Sequence, residues 1–291
     1  MTHSPVRIAI FGYGNIGRAI EQAILTANDM TLIGIFHHDQ MEQLIQKQPD
    51  VVLLGVPSRQ VSDAVEQLLR QGLLTVDSFD IHTKIPEVHR RLDRTAQEHQ
   101  AVSILSAGWD PGSDSMVRAL MQALMPQGIT YTNFGPGRSM GHTVAARSIE
   151  GVRDALSMTI PLGTGIHRRM VYIELKEGYN FDEVKDRILH DDYFCHDETH
   201  VVQVPDVQAL NNVAHGVHLI RQGVSGTTHN QEIELNMRIN NPALTGQIMV
   251  ACARAAMRMK ARKQFGCYTM IELAPIDLLD GEREQLIAQL V

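Results

Sequence analysis

The sequence predicts an α/β fold, a Rossmann-type doubly wound parallel sheet with a second α+β domain, from three features. The apolar run Val6 to Phe11 passes into Gly12-Tyr13-Gly14-Asn15-Ile16-Gly17 and opens an amphipathic segment, Ile16 to Ala27. Strand and helix patterns alternate through the first third of the chain. Near Gly108 the alternation stops, and longer strand candidates follow without regular helices between them.

Each glycine of the turn has a physical task. Gly12 permits a tight turn, and Gly14, without a Cβ, lets a pyrophosphate approach the backbone. Gly17 lets the helix pack on the strand, and the helix N-terminus offers free N–H groups and the positive end of its dipole. Three glycines alone would only make a tight βα turn. The strand before them, the helix after them and a second strand, Thr31 to Phe36, about 20 residues on, favour dinucleotide binding.

A short polar helix is expected at Gln40 to Gln48, then a buried parallel-type strand at Asp50 to Val56, which Pro57-Ser58 breaks and caps. Val61, Ala64, Val65, Leu68 and Leu69 form a helical stripe within Val61 to Arg70. Leu73 to Val76 and Val102 to Leu105 read as strands flanking a charged helix, Pro86 to His99. Ser113 to Met125 reads as a helix capped by Ser113. The later strand candidates are Ile129 to Phe134, Leu156 to Ile160, Met170 to Leu175, His200 to Val204, Val217 to Gln222 and Glu232 to Ile239, interrupted by a helix at Phe181 to His190. A long helix rich in Ala and Met, Pro242 to Arg262, the segment Tyr268 to Glu272 and a helix at Gly281 to Leu290 complete the pattern. Residues 1–108, completed by 243–291, are expected to bind the dinucleotide. Residues 109–242 are expected to form the substrate-binding and oligomerisation domain, on a mixed or antiparallel sheet. Alternating polarity along its strands suits a face turned to solvent or to another subunit, so a homo-oligomer, dimer or hexamer, is expected.

The 291 residues suffice for two domains, and 44% hydrophobic with 20% charged residues describes an ordinary globular chain. A net charge of -7 disfavours nucleic acid as the main partner. The three cysteines, Cys195, Cys252 and Cys267, have no metal or redox spacing and read as reduced thiols of a cytoplasmic protein. Met1-Thr2-His3-Ser4-Pro5 does not resemble a signal peptide, and no apolar run approaches membrane-spanning length.

Several polar residues fall where strands end. Asp77-Ser78-Phe79-Asp80 follows one strand and Trp109-Asp110-Pro111-Gly112 another, so Asp80 and Asp110 should share the carboxyl rim of the sheet with the glycine turn. There they could hold a cationic amine, and one could accept a proton as the amine is oxidised. Each could instead merely cap a helix or sit in a turn. Two carboxylates on one rim favour function. Trp109, the single tryptophan, is either core or pocket wall. His167-Arg168-Arg169 could bind a carboxylate in bidentate fashion, but on its own reads better as a solvated basic edge. The fourteen histidines show no metal-ligand spacing, and no metal is expected. His215, in Ala214-His215-Gly216, has small neighbours that would admit a ligand. Asn240-Asn241-Pro242 reads as a turn and helix N-cap.

Taken together, Gly12 to Gly17, Val76 to Asp80, Gly108-Trp109-Asp110-Pro111-Gly112, Phe134-Gly135-Pro136-Gly137, Gly141-His142 and Asn241-Pro242 resemble meso-diaminopimelate dehydrogenase, nearly end to end and in the same order. The runs Ser106 to Ser115 and Met158 to Gly165 look closest to the branch known for some reductive amination of 2-keto acids to D-amino acids. The resemblance implies reversible, NADP-linked oxidative deamination at the D-centre of meso-2,6-diaminopimelate, yielding L-2-amino-6-oxopimelate and ammonia. It implies that Asp80 and Asp110 hold the D-centre amine, that Trp109 and Phe134 wall the pocket, and that Met140 and Gly141 border the substrate. Thr159, Arg169, His215 and Asn241 then hold the distal L-amino-acid end.

There is one departure. The family reads the NADP 2′-phosphate with an Arg-containing run after the second strand, and here that run is Phe36-His37-His38-Asp39. A histidine holds a phosphate less firmly than an arginine and in a pH-dependent way. Arg59 could compensate. The expected cofactor contacts are therefore Gly12, Tyr13, Gly14, Asn15, Ile16, Gly17, His37, His38, Pro57, Ser58 and Arg59, with NADP as the default and NAD tolerated. The rival readings are a D-amino-acid dehydrogenase with little use for diaminopimelate, and a non-catalytic dinucleotide sensor. The sensor would leave the two rim carboxylates and Arg169 without a role.

Overall fold

The computed structural model describes residues 4–210 and 215–291. Met1, Thr2 and His3 of the N-terminal segment, and Ala214 beside His215, lie outside the described residues. The chain begins with β1 (Val6–Phe11), α1 (Asn15–Leu25), β2 (Met30–Phe36), α2 (Met41–Lys47), β3 (Val51–Leu54), α3 (Ser58–Leu69), β4 (Leu74–Asp77), α4 (Ile85–Glu98) and β5 (Val102–Ile104), and α5 (Ser113–Leu124) leads onward. There follow β6 (Gln127–Phe134), β7 (Gly137–Arg138), α6 (Met140–Ser148), β8 (Val152–Gly163), β9 (Ile166–Leu175), α7 (Phe181–Leu189), β10 (Glu198–Gln203), β11 (His215–Ser225) and β12 (Thr228–Ile239). The last elements are α8 (Asn241–Ala261), β13 (Gly266–Tyr268), α9 (Pro275–Leu278) and α10 (Arg283–Leu290). Two compact units result, Met1–Ala119 with Pro242–Val291, and Leu120–Asn241.

The first unit carries a six-stranded parallel sheet in the order β13-β5-β4-β3-β1-β2. The doubly wound sheet expected from the sequence is therefore present. Because β1 lies between β2 and β3, the direction of winding reverses at β1, and the carboxyl ends of β1 and β3 flank the switch point. Val51, Val52, Leu53 and Leu54 are fully buried, as a strand covered on both faces requires. The α3 stripe buries Val61, Val65, Leu68 and Leu69. α8 supplies a further buried surface, and a Cβ on its Gly246 would lie 2.6 Å from the backbone of Ala19 in α1.

Three local expectations are corrected in this unit. Tyr268 ends a strand that begins at Gly266, and Met270–Glu272 is a 3-10 turn because Thr269 and Glu272 form a capping box. The helix expected from Gln40 is a 3-10 turn, His38–Gln40, followed by α2, which ends where Gln48 adopts φ 45°. Ser113 is the first residue of α5 and not its cap, and its hydroxyl donates back to the Trp109 carbonyl at 3.4 Å.

The second unit holds two sheets, β10-β9-β8-β7 and β12-β11-β6. Only the β9–β10 pair is parallel in the first, and the second is antiparallel throughout. α6 and α7 cover the first sheet, and Ala145, Ala146, Val184 and Ile188 from them pack with Val152, Ala155, Val171, Ile173 and Val201. α6 escaped the sequence reading because Met140-Gly141-His142-Thr143-Val144-Ala145 offers no polar stripe to set a helical period. β8 and β9 run beyond the expected strands because they form one long hairpin through Gly163 to Gly165, with Val152 paired to Leu175. Along β12 exposed and half-buried residues alternate, so this sheet has one outward face.

Candidate active site

In the first unit the glycine turn is built by close backbone approach. Gly12 has φ +93°, and its N–H donates to the Phe36 carbonyl at 2.8 Å. A Cβ on Gly17 would lie 2.2 Å from the Gly12 oxygen, and one on Gly55 would lie 2.8 Å from the Gly17 nitrogen. Gly55, after β3, therefore belongs to the turn. Its only sequence signal was a glycine ending an apolar strand. Around a Cβ on Gly14 nothing lies within 4 Å, and the first turn of α1 carries no acidic residue. Open space over bare backbone beside a helix N-terminus fits a pyrophosphate. Asn15 and Ile16 are the first residues of α1. Tyr13 donates to Glu21 Oε2 at 2.5 Å, a bond that raises the phenol pKa, and the Arg18 guanidinium lies over its ring at 5.7 Å.

His37 and His38 stand after β2. His37 is a capping residue: its side chain accepts the Gln40 N–H, and Gln40 Oε1 accepts the His37 N–H at 2.9 Å. His38 and Asp39 are exposed, as is Arg59 in the first turn of α3. Pro57 is the N-cap of α3 and contributes no side-chain hydrogen bond. Ser58 has a clear task, since its hydroxyl donates to Asp80 Oδ1 at 2.6 Å and accepts the Asp80 N–H at 3.2 Å. Asp80 itself is exposed and caps no helix: the cap positions that follow it are Ile81 and Lys84.

Asp77 is the carboxylate of this stretch that holds structure. It is fully buried, and its Oδ1 accepts N–H groups from Phe79 at 2.9 Å and Ser106 at 3.1 Å, tying the end of β4 to the segment after β5. Burial pushes its pKa up to about 7, against the pull of those two donors.

Beyond β5, Trp109 is buried and Asp110 leaves 13% of its side chain exposed. Arg118, one helical turn and a half into α5, reaches back to both acids of the turn. Its Nη2 lies 3.0 Å from Asp110 Oδ1 and its Nη1 3.0 Å from Asp114 Oδ2. Asp114 is wholly buried, and burial, then the Asp110 charge, holds its carboxyl well above the usual carboxylate range. Asp110 thus answers to an arginine and a second acid, and not to a helix end.

In the second unit Arg169 is no solvated edge. Only 13% of its side chain is exposed; Nε donates to Asp197 Oδ2 at 2.6 Å and Nη1 to Thr159 Oγ1, its register partner across β8 and β9. The solvated-edge reading describes its neighbour Arg168, which pairs with exposed Glu198 at 2.8 Å. His167 Nε2 accepts the Phe134 N–H at 2.7 Å, and burial, then the Arg169 charge, lowers its pKa. Phe134 is half-buried at the end of β6, with its ring 5.4 Å from that of His167. Met140 and Gly141 open α6.

His142, next in α6, sits edge-on to Tyr193 and Phe194, with ring centroids 5.5 Å away in each case. Ser139 Oγ lies 2.9 Å from its Nδ1. Burial, then Arg169, lowers its pKa to about 4, and His215 adds to the shift. The ring is therefore neutral at pH 7. His215 is buried at the start of β11. Asn241 opens α8, as the turn and helix start there implied. Thr159, Arg169, His142 and His215 thus form one electrostatic neighbourhood, in which Asp197 is the counter-charge. Asp197, in a loop 28 positions from its arginine, carries no signal of its role in the residues around it.

Among the described residues no group of His, Cys, Asp and Glu has a metal-binding arrangement, and no helix is long and apolar enough to cross a membrane. Cys195 is exposed, while Cys252 and Cys267 are buried with their thiol pKa values pushed up by burial.

Residues 108–167 match the family model for the diaminopimelic acid dehydrogenase C-terminal domain. Over 98% of its length the chain is 55% identical to the meso-diaminopimelate D-dehydrogenase of Bacteroides fragilis, covering 99% of that protein. Its structure superposes on a DAP dehydrogenase of C. glutamicum in complex with DAP with a TM-score of 0.91 and 28% identity, over 99% of this chain and 100% of the other. An engineered D-amino acid dehydrogenase bound to NADP+ superposes with a TM-score of 0.89 and 28% identity, over 99% and 100%.

Proposed function

The chain belongs to the meso-diaminopimelate D-dehydrogenase family, and from that premise we propose that it oxidises the D-centre of meso-2,6-diaminopimelate. The products are L-2-amino-6-oxopimelate, which cyclises to tetrahydrodipicolinate, and ammonia; the reaction is reversible. The observation that carries the substrate is Arg169. Asp197 takes Nε and Thr159 takes Nη1, which leaves Nη2 to meet a carboxylate far from the reacting carbon.

NADP fits the first unit through the bare backbone at Gly14 and the acid-free start of α1. Gly12 to Gly17, Pro57 and Ser58 would hold its phosphates and nicotinamide side, and His37, His38 and Arg59 its 2′-phosphate. When bound, the nicotinamide accepts a hydride from the carbon that bears the D-amine. The chain's own residues do the rest. Asp80 and Asp110 hold the ammonium, one of them takes the proton it must lose, and Trp109 and Phe134 wall the pocket. Met140 and Gly141 border the substrate. Thr159, Arg169, His215 and Asn241 fix the distal amino-acid end, so that the D-centre is the one presented.

Because the His37 side chain also caps the following turn at Gln40, it would hold a 2′-phosphate less firmly than exposed His38 and Arg59. NAD is accordingly tolerated beside NADP. The exposed face of β12 suits contact with further copies of the chain, and three unpaired cysteines suit a reducing, cytoplasmic setting.

Nicotinamide absorbance followed with meso-diaminopimelate, the LL isomer, NADP and NAD tests these statements together. Turnover with the meso isomer alone is the expected result. Silence with both cofactors, followed by amination of 2-keto acids by ammonia, would replace the substrate with a simpler D-amino acid. A strong NADP preference unchanged from pH 6 to pH 9 would refute the histidine argument.

A further inference from the structure

We propose that Asp110 and Asp114 share one proton in the free enzyme, and that the substrate's ammonium expels this proton when it binds at Asp110. Asp114 is thereby a positioning residue for the amine. The proposal rests on the reading of Asp110 as the amine-binding carboxylate.

Three observations carry it. Asp114 is completely buried, no side-chain donor is aligned on either of its carboxylate oxygens, and its carboxyl lies against that of Asp110, with the Ser115 N–H as its one backbone donor. Arg118 Nη1 lies 3.0 Å from Asp114 Oδ2 as a charge and not as an aligned donor. A buried carboxylate short of donors is costly, and a proton between the two acids lowers that cost. Secondly, one guanidinium serves both acids, since Arg118 Nη2 lies 3.0 Å from Asp110 Oδ1. Among the buried and half-buried groups, leaving aside Asp80, which is exposed and screened by water, two acids sharing a proton and one arginine sum to zero charge. With both acids ionised and an ammonium bound, the sum is again zero. Either alternative, both acids ionised without the amine or a retained proton with it, leaves a net charge beside the buried Asp114 carboxyl. Thirdly, burial and the Asp110 charge both favour the protonated form of Asp114.

The groups facing the pair are few. Arg118 is the cation, and Ser115 Oγ accepts from Arg118 at 3.3 Å and from the Gly112 N–H at 3.2 Å. From the neighbouring strand, Asp77 is turned to Phe79 and Ser106, and Asp80 to Ser58. The proton balance is simple. One proton leaves to solvent as the ammonium arrives. The emptied position between the acids then accepts the proton that the ammonium loses before its carbon can release a hydride, so the base is the pair.

Calorimetric titration of the enzyme–NADPH complex with meso-diaminopimelate reads this directly, because that complex lacks the oxidised cofactor and cannot turn over. At pH 6.5, in two buffers of different ionisation enthalpy, the wild type should release about one proton per subunit more than Asp114→Asn. Its Kd should rise by up to tenfold for each unit of pH lowered, while that of Asp114→Asn stays flat, because the Asn amide supplies the donor permanently. Infrared difference spectra of the wild type need no variant: a protonated-carboxyl band should be present in the free enzyme and lost on binding. Binding with equal proton release in both proteins, or with the carboxyl band retained, overturns the proposal and leaves the substrate assignment standing. Absence of binding removes the substrate assignment and the shared-proton role together.

Discussion

Replacing Gly14 and Gly17 separately by alanine should separate cofactor binding from stability, although the two residues are neighbours in one motif. At Gly17 the new Cβ would lie 2.2 Å from the Gly12 oxygen, more than 1 Å inside ordinary contact, and the obstacle is backbone. Overpacking of that kind costs about 1–3 kcal/mol. At roughly 2–4 °C per kcal/mol for a chain of this size, the Tm of Gly17→Ala should fall by about 2–12 °C without any ligand. At Gly14 the Cβ would enter open space, and φ there is -81°, which alanine adopts freely. The poorer N-cap and the stiffer unfolded chain offset each other to within about 1 kcal/mol, so the Tm should hardly move. The methyl would instead stand where a pyrophosphate approaches. Losing one charge-assisted hydrogen bond costs about 1.5–3 kcal/mol, or about 10- to 150-fold in the Kd for NADP. Calorimetry of NADP binding and a thermal melt of each variant suffice. If Gly14→Ala binds NADP like the wild type, or melts as low as Gly17→Ala, the reasoning about that turn is wrong.

Further outcomes follow from the other contacts. Arg169→Lys keeps the charge but cannot meet Asp197, Thr159 and a ligand at once; kcat/KM for meso-diaminopimelate should fall about 10- to 100-fold. Amination of a monocarboxylic 2-keto acid should be affected far less, and an equal loss on both substrates would refute the distal role. Ser58→Ala removes the hydroxyl that holds Asp80, so kcat should drop several-fold, with a smaller loss of NADP affinity from its place beside the cofactor, as steady-state kinetics and titration will show. Asp77 and His142 give opposite pH signatures. Asp77, raised to about 7, keeps a proton that the unfolded chain loses near pH 4, so it subtracts stability as pH rises from 4 to 7. His142, lowered to about 4, stays neutral when the unfolded chain takes up a proton, so it subtracts stability as pH falls from 6.5 to 4. Melts across pH 4 to 6.5 should therefore gain a rising slope in Asp77→Asn and a falling one in His142→Gln, each of at most about 1.4 kcal/mol per pH unit. Parallel curves for the two variants would contradict both assignments.

Much of the nucleotide-binding architecture was legible because its signals are local. A glycine that must lack a Cβ, a strand buried on both faces and a helix with one apolar stripe each write their geometry into adjacent residues. The site was only half legible, for the opposite reason. Asp80 and Asp110 stand at strand ends and announce themselves. Ser58, Asp114 and Arg118 acquire meaning only when the fold brings them to those residues, as Asp197 does when it meets Arg169, and nothing in their own neighbours marks them. Arg169 shows the difference most clearly. Beside Arg168 it looked like the same solvated charge, and the register of β8, β9 and β10 alone buried one arginine and left the other outside. α6 is illegible in the sequence because helix periodicity is visible only when a polar face contrasts with an apolar one.

The first unit is discontinuous in sequence: α8 and β13 return to it after the whole of Leu120–Asn241 has been made. On a ribosome the strands β1 to β5 therefore emerge with β5 as a bare edge, and the chain that will cover it is synthesised more than 150 residues later. The intervening unit has all its strands before that moment. Synthesis thus imposes an order, with the second unit free to close first and the six-stranded sheet held open until Gly266–Tyr268 pairs with Val102–Ile104. During that interval the unpaired edge of β5 is the place where a chaperone has most to protect, and where a truncated transcript would leave a sheet inviting aggregation.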